Sequence, residues 1–428
     1  MKYNTQNAKI KSITEKTLIV GIDVGSENHF ARAFDWRNYE YSKKPLEFSN
    51  TQAGFATFKA WMEDIAEKYG KDVVIPGMEP TGHYWFNLGA YLQDNGMKPV
   101  HVNPHHVKKS KELDDNNPNK NDRKDPKTIA ALVNEGRFSY PYIPTGIYAE
   151  IRSLSNLRLQ TQEEITRIKN RIARWFSIYF PEIKDVYKKP DSVSGLMVLK
   201  VAPLPQDIVK LGVDGINQIW RDAKLRAAGA KRAKTLITAA EHSIGSREAP
   251  ESARIELKNL LNDYEVYCKR EEELMGMIEE KLSGIPYIDK LLEIKGIGMK
   301  TVSGFLAEVG DITRFDDPKQ LQKLSGYAIV ECSSGKHKGE SHISYRGRKR
   351  LRYVLYEAAI SLIARNEEFK EIHRYYRTRK KNPLKKMQSV IAVACKALRI
   401  FYTILTKGVT YDGAKMLQDI KRPQVTAA

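Results

Sequence analysis

Two aspartates lie three residues apart in a basic part of the sequence, in the stretch Asn121-Asp122-Arg123-Lys124-Asp125-Pro126. Three residues are about one helical turn, so the two carboxylates can face one side and share a divalent cation. The alternative is a helix N-cap, because Asp is a common cap residue and Pro is favoured in the first helical turn. Pro126 also disfavours helical geometry at Asp125, which predicts Asp125 at the cap and Asp122 outside the helix.

Two further carboxylates lie in or directly after predicted strands. Asp23, in Gly21-Ile22-Asp23-Val24-Gly25, interrupts an apolar run, and a lone Asp in such a strand is costly unless a cation or hydrogen-bond donors compensate it. Glu79, in Met78-Glu79-Pro80-Thr81-Gly82, follows a strand end, where α/β folds bind ligands, although a solvated Glu is equally ordinary there. If the two strands are neighbours, the four carboxylates can converge on one or two Mg²⁺ ions, which stabilise the oxygens of a phosphoryl transfer.

A serine-containing turn offers a second kind of chemistry, in the stretch Glu331-Cys332-Ser333-Ser334-Gly335-Lys336-His337-Lys338-Gly339. A serine can be a phosphoryl nucleophile when cations and a metal lower the cost of its alkoxide. A Ser-Gly turn flanked by lysines is also often only a loop. Residues 331–381 contain 14 Lys and Arg against 6 Asp and Glu, a net charge of +8. This charge and the interspersed tyrosines predict a nucleic-acid surface, with Tyr353 and Tyr356 expected in the core.

The overall charge indicates a polyanionic partner. The chain has 428 residues, enough for two or three domains, and a formal net charge of +19. Nucleic acid is the usual partner of so basic a chain, because each neutralised phosphate releases counterions. An anionic membrane surface is the competitor, but we identify no apolar stretch of about 18 residues and no signal-peptide core.

The cysteines and histidines do not form a recognisable metal or disulfide pattern. Three cysteines, far apart in the sequence, suggest neither a disulfide framework nor a zinc site. His101, His105 and His106 are expected in structural or phosphate-contacting roles rather than at zinc. We therefore expect a protein of the reducing cytoplasm.

The first third of the chain alternates strand and helix patterns, which predicts an α/β domain. Strands are predicted at Thr17 to Val24, His29 to Phe34, Leu46 to Phe48, Val73 to Met78 and Pro99 to Val102, and helices at Phe55 to Tyr69, Tyr84 to Leu92 and His106 to Leu113. Long helical patterns then run from Ile147 to Phe180 and from Ser252 to Leu282. Two such helices can pack as an antiparallel arm that serves as a spacer, an oligomerisation element or a basic surface. The shorter basic helical pieces between them, at about 185–250, have no predicted role.

The last part begins with two helical patterns, Ile288 to Val309, joined by Gly296-Ile297-Gly298. Glycines let the backbone approach a phosphate, and the next helix N-terminus offers free N–H groups. The pattern is typical of a helix-hairpin-helix that binds the DNA backbone, with a plain helical turn as the alternative. A basic helix start follows at Arg346 to Tyr353, and an apolar helix at Ser389 to Leu405 is expected to be buried.

Taken together, five motifs resemble one family. They are GIDVG, MEPTG, NDRKD followed by Ile129-Ala130, KGIGMKT, and the SSG turn followed by HISYRGRKRLR. In this order they resemble transposases of the Insertion Sequence one-ten type, which are related to Piv-type DNA invertases. The resemblance implies a RuvC-like, ribonuclease H-type domain whose DEDD carboxylates are Asp23, Glu79, Asp122 and Asp125. It also implies a helical C-terminal transposase domain that supplies a serine, for which Ser334 matches best and Ser333 second.

The resemblance also implies a domain organisation and an activity. The domains are the RuvC-like catalytic domain (1–145), a helical coiled-coil arm with an inserted basic region (146–285), and the C-terminal transposase domain (286–428). Enzymes of this kind are RNA-guided recombinases of bacterial or archaeal cells. An element-encoded bridge RNA pairs with donor and target DNA, and a tetramer built from two dimers joins them by Mg²⁺-assisted serine attack and strand exchange.

Nucleic-acid contacts are expected in the C-terminal part, at Gly296, Gly298, Lys300, Lys336, Lys338, Arg346, Arg348, Lys349 and Arg350. Two other functions stay open. A RuvC-like structure-selective nuclease would need the carboxylates but no serine. A non-catalytic nucleic-acid-binding scaffold would need only the basic arm and the hairpin.

Overall fold

The structure is a computed structural model with two compact units, Met1–Ile143 and Pro144–Ala428. It describes residues 6–42, 44–80, 82–114, 125–189, 191–225, 229–330, 333–334, 337–338, 341–418 and 420, with the backbone alone at 112–114, 333–334 and 337–338. The predicted further division of the second unit near residue 285 stays a prediction.

The first unit is a mixed six-stranded sheet with helices, which confirms the α/β prediction. Its strands are β1 (Thr17–Val24), β2 (Asn28–Phe34), β3 (Leu46–Ser49), β4 (Val73–Met78), β5 (Val100–Val102) and β6 (Phe138–Ser139). Its helices are α1 (Gln6–Ser12), α2 (Gln52–Lys68), α3 (Trp85–Asp94), α4 (Pro104–Asp114) and α5 (Asp125–Asn134). The strand order is β3-β2-β1-β4-β5-β6. Strand β4 pairs in parallel with β1 and with β5, and the other pairs are antiparallel.

Strand β1 is apolar on both faces because helices cover both sides of the sheet. Leu18, Val20 and Ile22 share one hydrophobic cluster with buried residues of α2 and α3. Ile19 belongs to a second cluster, together with Ile129 and other residues of α5. Alternate residues of a strand point to opposite faces, so the α5 side of β1 is the face of Ile19, Gly21 and Asp23.

The second unit is largely helical. Its helices are α6 (Gly146–Tyr179), α7 (Ile183–Val186), α8 (Val193–Val201), α9 (Pro205–Asp222), α10 (Ala230–Glu241), α11 (Pro250–Ser283), α12 (Ile288–Leu292), α13 (Met299–Val309), α14 (Pro318–Leu324), α15 (Lys349–Arg365), α16 (Glu367–Thr378), α17 (Lys386–Lys407) and α18 (Gly413–Gln418), with a 3-10 helix at Ile312–Arg314. Two short ribbons pair β7 (Ile329–Val330) with β10 (His342–Ile343), and β8 (Ser333–Ser334) with β9 (His337–Lys338).

Helices α6 and α11 are the two long predicted helices, each of 34 residues. Ile151, near the start of α6, shares a hydrophobic cluster with Leu282, at the end of α11. Near the opposite ends, the indole N–H of Trp175 donates to the carbonyl of Ala253 at 3.0 Å. The two helices are therefore antiparallel, as predicted; a regular coiled coil between them stays a prediction.

The segment between the long helices shares a hydrophobic core with the end of α6 and the start of α11, and this core includes Trp175 of α6 and Trp220 of α9. The indole N–H of Trp220 donates to the carbonyl of Ser194 at 2.9 Å. Arg254 holds Asp207 with two hydrogen bonds, of 2.9 and 2.8 Å, so the segment is fastened to the start of α11. The helical pieces predicted here are confirmed, and they pack as a small helical body.

Two sequence expectations about the C-terminal part are wrong. Helix α17 is long and apolar enough to cross a membrane by length and composition, although no such stretch was expected. Half of that apolar window is buried inside the unit. The helix is therefore part of the hydrophobic core, in agreement with the burial predicted for Ser389 to Leu405. Tyr353 is 59% exposed rather than in the core, because it lies on the outer side of α15, whereas Tyr356 packs against the core.

Candidate active site

Helix α5 lies directly on two glycines of adjacent strands. Gly21 of β1 and Gly77 of β4 are partners in the parallel register. A Cβ on Gly21 would lie 1.8 Å from the carbonyl oxygen of Pro126, and a Cβ on Gly77 would lie 2.5 Å from Cγ2 of Val133. A larger residue at either of these two positions would push the helix away from the sheet.

Asp23 and Glu79 lie side by side, just beyond this glycine pair. Ile22 and Met78 are the last partners in the parallel ladder. Asp23 directly follows Ile22, and Glu79 directly follows Met78. Asp23 lies two residues after Gly21, and therefore on the face that α5 covers. Both residues are half-buried. The condition set by the sequence is met, because β1 and β4 are neighbours, and their carboxyl ends place two acidic residues at one edge.

Asp125 is the first residue of α5 and is buried, with 9% of its surface exposed. Asp125 was predicted at the N-cap; the helix already includes it, and Pro126 is the second helical residue. The ammonium group of Lys111, on α4, forms an ion pair with the Asp125 carboxylate. Asp122 lies outside the residues that the structure describes, so the fourth predicted carboxylate stays a prediction.

The charges of Lys111 and Asp125 act on the pKa of Glu79 in opposite directions. Burial raises the pKa of Glu79 above its ordinary value; the positive charge of Lys111 opposes this, and the negative charge of Asp125 adds to it. A desolvated carboxylate beside a second carboxylate is unfavourable without a cation. The site therefore carries negative charge that a cation would stabilise, and Lys111 supplies part of the compensation.

These residues fit a divalent cation by their chemistry. Carboxylate oxygens are the ligands that Mg²⁺ prefers, and Mg²⁺ commonly takes only one or two of them, with water and phosphate oxygens completing its shell. Among the residues that the structure describes, no group of three or more His, Cys, Asp or Glu side chains is arranged as a metal site. The fit thus rests on the negative charge around Glu79 and on the shared edge.

His101 lies on the other face of the sheet from the carboxylates. Its neighbours in β5, Val100 and Val102, share the α5 cluster, and its ring packs edge-on against Trp85 of α3, with centroids 4.2 Å apart. Burial lowers the pKa of His101 to about 4. This is a structural position, whereas His105 and His106 are exposed at the start of α4.

The predicted serines lie on a nested hairpin in the second unit. Strand β7 pairs with β10, and inside this ribbon β8 pairs with β9, with Ser334 opposite His337. Ser334 is thus the last residue of β8. The side chains of Ser333, Ser334 and Lys338, and the whole of Lys336, lie outside the described residues.

The two glycines of the predicted helix-hairpin-helix differ in their surroundings. Gly296 has a φ of +102°, and a Cβ there would lie 3.1 Å from the carbonyl oxygen of Ser361. The Ser361 hydroxyl donates to the Gly296 carbonyl at 2.7 Å. Gly296 therefore serves close packing against α15, which is an internal role that the sequence did not suggest. Gly298 is exposed, and a Cβ there would meet no atom within 4 Å among the described residues.

Three of the predicted DNA-binding cations make contacts inside the protein. Lys300 forms an ion pair of 2.8 Å with Glu271. Arg348 donates to the carbonyl of Glu308 at 2.9 Å, at the end of α13. Arg350 donates to the carbonyl of Ser155 in α6 at 2.7 Å, and burial lowers its pKa.

These contacts fasten α15 to α6 and α13, and α13 to α11. They do not exclude nucleic-acid contacts, but they give each side chain a structural partner. Arg346 and Lys349 are exposed, and they are the better candidates for phosphate contacts.

Sequence reasoning missed Lys111 and the glycine pair. Lys111 is one of several lysines on α4, and only the tertiary structure distinguishes it. The glycines did leave a signal, because Gly21-Ile22-Asp23 and Gly77-Met78-Glu79 share the pattern of a glycine two residues before an acid. A glycine repeated at that spacing in two strands indicates a helix that crosses close above them.

Comparisons with known proteins agree with this organisation. A transposase family model of the DEDD IS110 type matches residues 20–181, which contain all four predicted carboxylates. A second model, the transposase IS116/IS110/IS902 family, matches residues 288–376, which contain the predicted serines.

Individual relatives match nearly the whole chain or a little over a quarter of it. The uncharacterized 44.8 kDa protein of insertion element IS116 from Streptomyces clavuligerus is 22% identical over 398 residues, 90% of this chain and 94% of its own length. The 43.6 kDa protein of IS110 from Streptomyces coelicolor is 20% identical over 92% of this chain and 95% of its own length. The pilin gene-inverting protein of Moraxella bovis is 30% identical over 124 residues, 28% of this chain and 38% of its own length. The matched models and the near full-length relatives place the chain in the IS110 family of transposases, enzymes that recombine DNA.

Proposed function

We propose that the chain is an RNA-guided recombinase that joins donor and target DNA through a serine nucleophile and a metal-binding carboxylate site. The observation that carries the proposal is the edge of the first unit, where Asp23 and Glu79 lie at the carboxyl ends of adjacent parallel strands and the charge of Asp125 acts on Glu79. Acidic residues gathered in this way suit phosphoryl transfer, where cationic stabilisation of the transition state is the main requirement. The first unit is proposed to be RuvC-like, of the ribonuclease H type.

The carboxylates would hold the metal. Asp23, Glu79 and Asp125, together with Asp122, are proposed to bind one or two Mg²⁺ ions, which would polarise the scissile phosphate and stabilise the leaving oxygen. Gly21 and Gly77 keep α5 close to the sheet, and so keep Asp125 within reach of Glu79. Lys111 holds the Asp125 side chain in the same region, with its own positive charge beside the carboxylates.

The serine would be the nucleophile. Ser334, or Ser333 in its place, attacks a DNA phosphorus through its hydroxyl oxygen and loses its proton. A bond from serine oxygen to phosphorus forms, the bond from phosphorus to one deoxyribose oxygen breaks, and the freed sugar oxygen takes up a proton. In strand exchange, the sugar hydroxyl of another strand attacks the same phosphorus and releases the serine. The end of a short hairpin strand is a suitable position for a group that must reach into DNA.

The partners follow from this activity. DNA is the substrate of a transposase, and the open Gly298 at the N-terminus of α13 is proposed to contact its backbone as part of a helix-hairpin-helix. Guidance is proposed to come from an element-encoded bridge RNA. The working assembly is proposed to be a tetramer, built as a dimer of dimers, in which carboxylates and serine of one site come from different subunits.

A recombination assay between donor and target plasmids, with the guide RNA supplied, tests the proposal. Asp23→Asn and Ser334→Ala should each abolish recombination, and Ser334→Ala should also remove the covalent protein–DNA adduct seen after denaturing electrophoresis. Asp64→Asn, on an exposed part of α2, is the matched control. If DNA cleavage survives Ser334→Ala without any adduct, the chain cuts DNA by hydrolysis; if neither variant has an effect, Asp23 and Ser334 are not the catalytic groups.

RNA guidance has a separate test. Purified protein should carry one discrete small RNA, encoded beside its gene, and sequencing of the co-purified RNA identifies it. Recovery of bulk cellular RNA alone would contradict the guided mechanism without affecting the carboxylate and serine roles.

A further inference from the structure

The turn that follows β2 presents two large aromatic side chains to solvent. Trp36 is 44% exposed and Tyr39 is 64% exposed. Of the five tryptophans in the sequence, Trp175 and Trp220 are 1% exposed and Trp85 is 8% exposed. Exposed aromatic rings that sit together are unusual on a protein surface and often mark a binding site.

The turn is held in one conformation without help from these rings. Asp35 is 1% exposed, and its Oδ1 accepts hydrogen bonds from the backbone N–H of Arg37 at 2.7 Å and of Tyr39 at 2.8 Å. The side-chain amide of Asn134 donates to the carbonyl of Trp36 at 2.7 Å. A buried carboxylate and a helix side chain thus fix the backbone, and the two rings remain exposed to solvent, where a partner can contact them.

Further rings and cations surround the turn. Tyr41 stacks on Tyr69 with centroids 4.0 Å apart, and Tyr39 meets Tyr41 edge-on at 5.8 Å. Cationic groups lie 5.5 Å, 5.4 Å and 5.6 Å from the centroids of Trp36, Tyr41 and Tyr69, respectively. We name this surface the aromatic turn patch: Trp36, Arg37, Tyr39, Tyr41, Lys68, Tyr69 and Lys71.

The chemistry of the patch matches a single-stranded nucleic acid. Unpaired bases stack on aromatic side chains, and cations beside the rings neutralise the phosphates. Both acidic residues of the turn have cationic partners, Asp35 with Arg37 at 3.1 Å and Glu40 with Arg32 at 2.8 Å. They therefore contribute little repulsion against a phosphate backbone.

A protein partner is the competing occupant, because Trp, Tyr and Arg are also enriched at protein interfaces. Lysine is depleted there, whereas this patch places Lys68 and Lys71 over its rings. Duplex DNA fits less well, because its bases are stacked on one another and present no free faces.

We propose that the aromatic turn patch binds unpaired bases of single-stranded DNA, which strand exchange exposes when a cut strand leaves its duplex. The inference rests only on the action of the chain on DNA. It does not depend on the serine nucleophile, the metal or the guide RNA, so its failure would leave those proposals untouched.

Equilibrium binding of the full-length protein to a fluorescein-labelled single strand, measured by anisotropy, tests the inference. Tyr39→Ala and Trp36→Ala should each weaken binding of the single strand about 5- to 100-fold, as removal of a base-stacking ring does. Binding to the duplex of the same sequence should not change. Tyr39→Phe, which keeps the ring, should bind as the wild type does.

Two controls separate stacking from loss of folding. Phe86→Ala removes an aromatic side chain of similar exposure (49%) on α3 and should leave single-strand binding unchanged. The single strand should also quench tryptophan fluorescence in the wild type and not in Trp36→Phe.

Three results would overturn the inference. They are equal losses for single strand and duplex, tighter binding of a single-stranded RNA of the same sequence with the same sensitivity to Tyr39→Ala, or a change of oligomeric state in Tyr39→Ala without a change in binding.

Discussion

Lys111, on α4, forms an ion pair with Asp125, the first residue of α5. The lysine side chain is 37% exposed and the aspartate side chain 12% exposed, so the pair lies at the edge of the carboxylate site. Both charges also act on the pKa of Glu79, which Lys111 lowers and Asp125 raises. A protein cation therefore already neutralises the carboxylate that the proposed divalent ion would bind, and we expect the two to compete for it.

Replacement of this lysine should strengthen metal binding. In Lys111→Met the Asp125 carboxylate loses its partner and becomes available to a divalent ion, so Mg²⁺ should bind about fivefold more tightly, corresponding to about 1 kcal/mol. Without metal, the same variant should unfold more easily by about 1 kcal/mol, a modest figure because the lysine is partly exposed. Titration calorimetry with MgCl₂ and unfolding in EDTA measure the two effects.

Lys108→Met is the matched control for this prediction. Lys108 lies on the same helix and is exposed, so its loss should alter neither magnesium affinity nor unfolding. Equal magnesium affinity in wild type and Lys111→Met would show that the lysine does not compete with the metal.

The packing of α5 on the sheet predicts a large effect of one methyl group. A Cβ at Gly21 would lie 1.8 Å from the carbonyl oxygen of Pro126, which is backbone and cannot turn aside. Gly21→Ala should therefore lower the free energy of unfolding by about 3 kcal/mol or more, and it should reduce recombination because α5 carries Asp125. Urea unfolding measures the change.

The same substitution elsewhere should have the opposite sign. Gly276 lies within α11, and a Cβ there would meet no described atom within 4 Å. Gly276→Ala should raise the free energy of unfolding by about 0.5–1 kcal/mol, because alanine is the better helix former. If both variants lose stability to the same extent, close packing at Gly21 is not the cause.

The sequence predicted the parts of this molecule that depend on local patterns. The order of strands and helices in the first unit, and the lengths of α6 and α11, follow from apolar periodicity. Asp23 and Glu79 were recognised as candidate site residues because an acidic residue within or directly after an apolar strand is unusual.

Properties that depend on tertiary neighbours could not be predicted from the same patterns. Arg348 and Arg350 look like any basic helix start, and only the folded chain shows that they contact α13 and α6. The phosphate contact of Gly296 stays a prediction, whereas its close approach to the backbone of α15 was not foreseen from the sequence. Tyr353 and Tyr356 are three residues apart, yet one is exposed and one packs on the core, since a small difference in helix rotation decides between them.

His101 should make stability depend on pH. Its pKa is lowered to about 4 by burial, whereas the unfolded chain has the ordinary value of about 6.5. Between these values unfolding takes up a proton, so stability is fully present above pH 6.5 and is lost as the pH falls towards 4. His101 contributes up to about 1.4 kcal/mol per pH unit to the slope of the unfolding free energy against pH.

The variant His101→Phe isolates this contribution. It keeps an aromatic ring against Trp85 and removes the titrating group, so its free energy of unfolding should fall less steeply between pH 6.5 and 4 than that of the wild type. His106→Phe, at an exposed position, should keep the wild-type slope. Parallel slopes for wild type and His101→Phe would contradict the prediction.

The basic residues around the start of α15 should separate into two groups by experiment. Arg350 donates to the carbonyl of Ser155 and its side chain is 21% exposed, so Arg350→Met should lower the free energy of unfolding by about 1–3 kcal/mol.

Arg346 and Lys349 are exposed, so Arg346→Met and Lys349→Met should not change the free energy of unfolding. Each should instead reduce the slope of log affinity for duplex DNA against log salt by about 0.9, the value for one phosphate contact. DNA binding measured across a salt series, beside urea unfolding, distinguishes the groups, because a structural cation alters the stability and a phosphate-binding cation alters the slope.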